Sequence, residues 1–106
     1  PPWLAPEQAR VLPITDSVME YAELVAASLR DRGLRVDVDR RSEKLGYKIR
    51  EGETMKVPYL LVVGQREADQ GAVALRLRHR RDEGVHPVEE VADRIENAVR
   101  SRGLEP

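Results

Sequence analysis

Asp39-Arg-Arg-Ser-Glu-Lys-Leu-Gly-Tyr-Lys-Ile-Arg-Glu51 leads into Lys56-Val-Pro-Tyr-Leu-Leu-Val-Val-Gly64. In the first segment Leu45, Ile49 and Gly52 fall on one stripe of a helix opened by Ser42 or Glu43, with Lys44, Lys48 and Arg50 elsewhere on its surface. Pro58 closes that helix, and Tyr59 to Val63 is apolar at every position, the pattern of a strand covered on both faces in the middle of a sheet. A basic helix therefore feeds directly into a central strand.

The flanking segments extend this unit. Upstream, Leu34-Arg-Val-Asp-Val-Asp39 alternates with period two, so Leu34, Val36 and Val38 face a core from a second strand. Ala9-Arg-Val-Leu-Pro-Ile14 is a first strand with Pro13 at its end. Between them Ser17-Val-Met-Glu20 fits a capping box, with Val18, Ala22, Val25 and Leu29 on one helical face and Gly33 as the stop. Downstream, the connection from Gly64 to Gly71 is too short for a full helical crossover, so the strand from Ala72 to Arg78 should return antiparallel. Its parity sends Val73, Leu75 and Leu77 one way and Ala74, Arg76 and Arg78 the other, which places a row of arginines on one face. A last helix begins near Pro87 and buries Val88, Val91, Ile95 and Ala98 before Gly103. Strands alternating with helices on both sides predict a three-layer α/β/α domain.

A chain of 106 residues holds one domain with a single core. With no Phe and only 4% aromatic residues, that core must be built from Val, Leu, Ile and Ala. The absence of cysteine removes disulfides and thiolate chemistry, and it suits a cytoplasmic setting. Pro1-Pro-Trp-Leu-Ala-Pro6 has the composition of an extended linker, so residues 1–8 are expected to be a linker from another part of a longer protein and residues 9–106 to form the domain proper. No apolar run approaches the length of a membrane span, and no membrane role is expected. The net charge of -1 conceals two basic windows, Arg40 to Lys56 and Arg76 to Arg81. That balance points to a confined contact surface rather than general adhesion to phosphate, and DNA is not an expected partner.

Catalytic chemistry finds few candidates. His79 and His86 match neither zinc-ligand spacing nor a catalytic triad, and Gly64 and Gly71 lack a phosphate-loop or dinucleotide pattern. Carboxylate pairs such as Glu89-Glu90 sit where a helix start already explains them.

The order of segments, with Trp3-Leu-Ala-Pro6, Thr15-Asp-Ser17, Gly46, Lys48, Val57, Pro58 and Gly64, resembles the C-terminal anticodon-binding domain of class II aminoacyl-tRNA synthetases. Ser42 to Glu51 and Val73-Ala-Leu-Arg-Leu-Arg78 look like its threonyl members. The resemblance implies a five-stranded mixed sheet of order 2-1-3-4-5, strand 4 antiparallel, with three helices. It implies no catalytic residue and no cofactor or metal in this domain, ATP and zinc belonging to a catalytic domain of the same chain in a parent threonine-tRNA ligase, a homodimer. The partner it implies is the anticodon loop of threonine tRNA, whose second and third bases, G and U, are read. By motif position, the anticodon contacts fall on Ser42, Lys56, Glu67 and Arg76; Ser42 stands where Asn is usual and Lys56 where Arg is frequent.

The residue types support those roles independently. Splayed loop bases expose hydrogen-bonding edges, an arginine fork suits guanine or phosphate, and a carboxylate accepts from a guanine N–H pair. Ser42 is equally suited to cap a helix, and Glu67 to pair with Arg66 or a neighbouring arginine. Lys44, Lys48, Arg78, Arg80 and Arg81 are expected at phosphates. Glu67 and Arg76 are expected side by side. Two other readings remain open at this level: a freestanding paralogue acting as a protein-interaction or regulatory module, and a small α/β enzyme.

Overall fold

The structure, a computed structural model, describes residues 2–77 and 81–101. In chain order the strands are β1 (Ala9–Pro13), β2 (Val36–Val38), β3 (Tyr59–Val63), β4 (Ala72–Leu77) and β5 (Arg81–Pro87). The helices are α1 (Met19–Arg30), α2 (Leu45–Thr54), α3 (Gln65–Gln70) and α4 (Val88–Arg100). The sheet runs β2-β1-β3-β4-β5, as expected, with β1 parallel to β2 and β3, and β4 antiparallel to both β3 and β5.

Every residue of β3 is buried, because it lies between β1 and β4 and has helices on each side. The larger core fills the face under α1 and α4. There Val11, Tyr59, Leu61, Val63, Val73 and Leu75 meet Ala22, Val25, Leu29, Val91 and Ile95. Burial pushes the Tyr59 hydroxyl up to about 12, so it stays neutral within this core. The smaller core lies under α2 alone, where Leu12, Val57, Leu60 and Val62 are packed by Leu45, Ile49 and Ala74. Gly52 lets α2 come down onto β3: a Cβ there would stand 2.7 Å from Cδ2 of Leu60. Ala68 of α3 packs against the larger core, so three helices share one face and α2 has the other.

Among the described residues, that asymmetry leaves the β5 side of one face bare. Pairing of Val62 with Ala74, and of Ala74 with Val85, puts these residues on the α2 face together with Arg76 opposite Leu60. Val85 is 50% exposed and Ala74 and Arg76 are partly so, while the apolar packing under α2 reaches across the sheet as far as Ala74.

The three expected helices are α1, α2 and α4, and a further short helix, α3, fills the Gly64–Gly71 connection. Three expectations need correction. Ser17 does not cap α1: a 3-10 turn over Asp16–Val18 precedes it, Val18 is the cap residue, and the Ser17 hydroxyl meets that of Thr15 at 2.7 Å. Neither Ser42 nor Glu43 opens α2, whose cap residue is Lys44, without a side-chain cap. Lys48 is not on the surface; it is 3% exposed.

Lys56 follows α2 with φ of 61°, a left-handed conformation that favours glycine. Its N–H donates to the carbonyl of Glu53 and that of Val57 to Gly52, so the α2 carbonyls are met by a left-handed turn with lysine in the glycine position.

A candidate nucleic-acid interface around α2

Six basic residues lie between Arg40 and Lys56, and the fold divides them into three groups. Two are consumed by carboxylates. Arg40 binds Glu23 at 2.9 Å, and Arg41 binds Asp39 and Glu51, each at 2.7 Å, with its guanidinium 5.3 Å from the ring centre of Tyr47. One is structural. The Lys48 ammonium donates to the carbonyls of Pro13 at 3.1 Å and Asp39 at 3.2 Å, tying the end of β1 to the segment leaving β2. Lys44, Arg50 and Lys56 are exposed and meet no carboxylate among the described residues.

The Arg41 guanidinium holds the Asp39 carboxyl below its ordinary range, with Lys48 adding to the effect. Because the folded state binds this proton less readily than the unfolded chain, its contribution to stability is fully present above about pH 5, and it fades as pH falls through about 3.9 toward the folded value. Urea midpoints of the wild type are expected to drop between pH 5 and pH 3 more steeply than those of Asp39→Asn. Parallel slopes would count against it.

Lys44 and Ser42 line a cleft of about 340 Å³ between the segment 13–16 that leaves β1 and the start of α2. The cleft lies at the carboxyl ends of the parallel strands, where open α/β sheets commonly take ligands. The Ser42 hydroxyl has no hydrogen-bond partner among the described residues, so it neither caps α2 nor is otherwise committed. Glu67 is at the same end of the sheet. One oxygen, Oε1, accepts the Gly64 N–H at 2.7 Å, half of a capping box for α3, and a Cβ on Gly64 would stand 3.0 Å from Ile14 of the cleft.

Lys56 and Arg76 belong to the other end. Lys56 precedes β3, and Arg76 is opposite Leu60 near its start. Arg76 stands 3.7 Å from Asp82, and its buried Nε has no acceptor among the described residues, an exception that buried donors seldom make. Leu60 and Gly64, the residue just past the end of β3, are four residues apart, roughly 13 Å along the strand direction. Glu67 and Arg76 are therefore not side by side. Glu67 sits at the strand end with α3, in the layer of α1 and α4, whereas strand parity puts Arg76 on the α2 face.

Of the residues expected at phosphates, Lys44 is free to serve and Lys48 is not, its ammonium being buried and bonded to main chain. Arg78 and Arg80 fall outside the described residues, as does the side chain of Arg81. Arg50, on the helix surface as expected, is not among the contacts that the sequence singles out. Tyr47 and Glu51 flank α2 toward β2, where they meet Arg41, so Gly46, Arg50 and Glu53, at i, i+4 and i+7, lie on the other flank, toward β3 and β4.

Among the described residues no group of three or more His, Cys, Asp or Glu could hold a metal ion, and no helix is long and apolar enough to cross a membrane.

Exposed Lys44, Arg50 and Lys56, spread along α2 without carboxylate partners among the described residues, have the chemistry to meet a polyanion, and comparison with known proteins gives the chain a family. The family model described as "Anticodon binding domain" matches residues 8–98, and the chain belongs to this family. Its curated relatives include the threonine–tRNA ligases of Syntrophomonas wolfei, 50% identical over 98% of this chain, and Symbiobacterium thermophilum, 49% identical over 99%. The chain spans 16% of the length of each. Among solved structures, the RNA-binding domain of threonyl-tRNA synthetase from Cryptosporidium parvum Iowa II superposes with a TM-score of 0.86 at 33% identity, over 92% of this chain and 24% of that one. Histidyl-tRNA synthetase from Nostoc shares the fold, with a TM-score of 0.82 at 20% identity over 89% of this chain and 23% of that one.

Proposed function

We propose that this domain binds the anticodon loop of threonine tRNA and reads its second and third bases, serving a threonine–tRNA ligase whose catalytic domain, with its ATP and zinc, lies elsewhere in a longer chain that acts as a cytoplasmic homodimer. The observation that carries this reading is the sorting of charge: Lys44, Arg50 and Lys56 are left along α2 without carboxylates among the described residues. Ion pairs could have neutralised these side chains, as they do Arg40 and Arg41. Cations left free in this way attract phosphate and release its counterions on binding.

Base reading is divided between two stations. At the strand-end cleft, the Ser42 hydroxyl and the second oxygen of Glu67 offer an adaptable donor or acceptor and a pure acceptor. At the start of β3, Arg76 offers the fork, with Lys56 as a neighbouring point charge. Stations at opposite ends of β3 suit consecutive splayed nucleotides better than one base held by both.

The test is a titration of the chain, at fixed salt, with threonine anticodon stem-loops carrying native or altered second and third bases. The native loop is expected to bind about tenfold tighter or more, since one good bidentate contact discriminates by ~1–3 kcal/mol. Equal affinity for all loops would remove the base-reading role.

A further inference from the structure

Each described glycine but one has a reason within the fold. Gly33, Gly71 and Gly84 have φ of 80°, 63° and 82°, in the left-handed region. Gly52 makes room for Leu60, and a Cβ on Gly64 would press on Ile14 and Glu67 at 3.0 Å. Gly46 has no such reason. It lies in the first turn of α2 with helical backbone, it is exposed, and a Cβ there would find no atom within 4 Å outside its own helix and chain neighbours. A glycine in a helix loses stability relative to alanine, so folding alone favours a side chain at this position.

We propose that Gly46 is bare because the sugar–phosphate backbone of the bound RNA passes against the main chain of α2 at this point, making Gly46 a positioning residue of the interface. This rests on the anticodon-loop reading above and adds to it the track that the loop follows. Three further observations identify the occupant as a nucleic-acid backbone. Gly46 is on the flank of α2 toward β3 and β4, opposite the Arg41–Glu51–Tyr47 cluster. Lys44 and Arg50, two residues before it and four after, are both cationic and both without carboxylate partners among the described residues. The Ser42 cleft and Arg76 lie at opposite ends of the same region, so a strand serving both stations crosses this flank. A methyl group at position 46 would hold the strand away from the helix and misplace its bases at both stations.

The experiment compares Gly46→Ala and Gly46→Leu with the wild type and with Leu24→Ala, a change at an exposed position of α1, by thermal melting and by titration with the threonine stem-loop. Both position-46 variants are expected to melt at or above the wild-type temperature. Binding should weaken about tenfold for alanine, the scale of one lost charge-assisted contact, and further for leucine. Leu24→Ala should bind as the wild type does. If the wild type binds the loop and Gly46→Ala binds it equally, the close approach is disproved and the anticodon reading stands. If the wild type binds no loop, that reading fails and takes this one with it. A lower melting temperature for Gly46→Ala would mean that the fold itself requires the glycine, and would also overturn the proposal.

Discussion

Lys48→Met is expected to lower the stability of the domain by about 2–4 kcal/mol, because two buried main-chain acceptors lose a charged donor that methionine cannot replace. The carbonyls are those of Pro13, the last residue of β1, and Asp39, just beyond β2. A methionine keeps most of the aliphatic stem and its packing, so the loss isolates the ammonium rather than a cavity. For a domain of this size each kcal/mol shifts the melting temperature by roughly 4–8 °C, so the effect is readily measured by urea or thermal unfolding. The ammonium also fixes the approach of the segment carrying Ser42 and Lys44, so stem-loop binding should fall by more than the unfolded fraction explains. A variant within about 0.5 kcal/mol of the wild type, the range of an ordinary surface substitution, would show that the ammonium does not clamp the strand ends.

The second large effect concerns Arg76. Arg76→Ala is expected to weaken binding of the native threonine stem-loop tenfold or more, about 1–3 kcal/mol, and to weaken a loop already altered in its bases much less. A phosphate contact alone would weaken both alike. The Arg76 guanidinium stands 3.7 Å from Asp82, near enough for steering and long for a hydrogen bond, so its terminal nitrogens are not committed to that carboxylate. Titration of wild type and variant with both loops at one salt concentration decides it, and equal losses would assign Arg76 to the phosphates.

The layers were legible because their residues obey simple periods. The alternation of Val73, Leu75 and Leu77 with Ala74 and Arg76 states the parity of β4, and the unbroken apolar run from Tyr59 to Val63 states the depth of β3. β5 was not placed from its residues. Arg81 to Pro87 lies at the sheet edge with a register shift opposite Leu75 and Arg76, so it shows no clean alternation. α3 was missed because six residues with only Ala68 against the core carry no helical stripe.

The site was less legible, and Lys48 shows why. Leu45, Lys48, Ile49 and Gly52 follow the spacing of an inward face, but a lysine's charge argues for the surface, and only the two carbonyls explain how it can be buried there. The relation between Glu67 and Arg76 depends on which layer receives α3, which no local pattern states. That Arg50 is left without a carboxylate among the described residues emerges only once the partners of Arg40 and Arg41 are known.

The two ends of α2 depart from the choices of helix formation in opposite senses. At its start stands a glycine, Gly46, with room for a side chain; just past its end stands a side chain, Lys56, in a conformation made for glycine. The second departure costs the fold about 1 kcal/mol or more. An exchange of the two residues would suit the helix better and leave the flank without its open passage and its terminal cation. Selection for the most durable domain would not arrive at this arrangement, whereas selection for grip on a charged strand accepts a somewhat weaker fold in return.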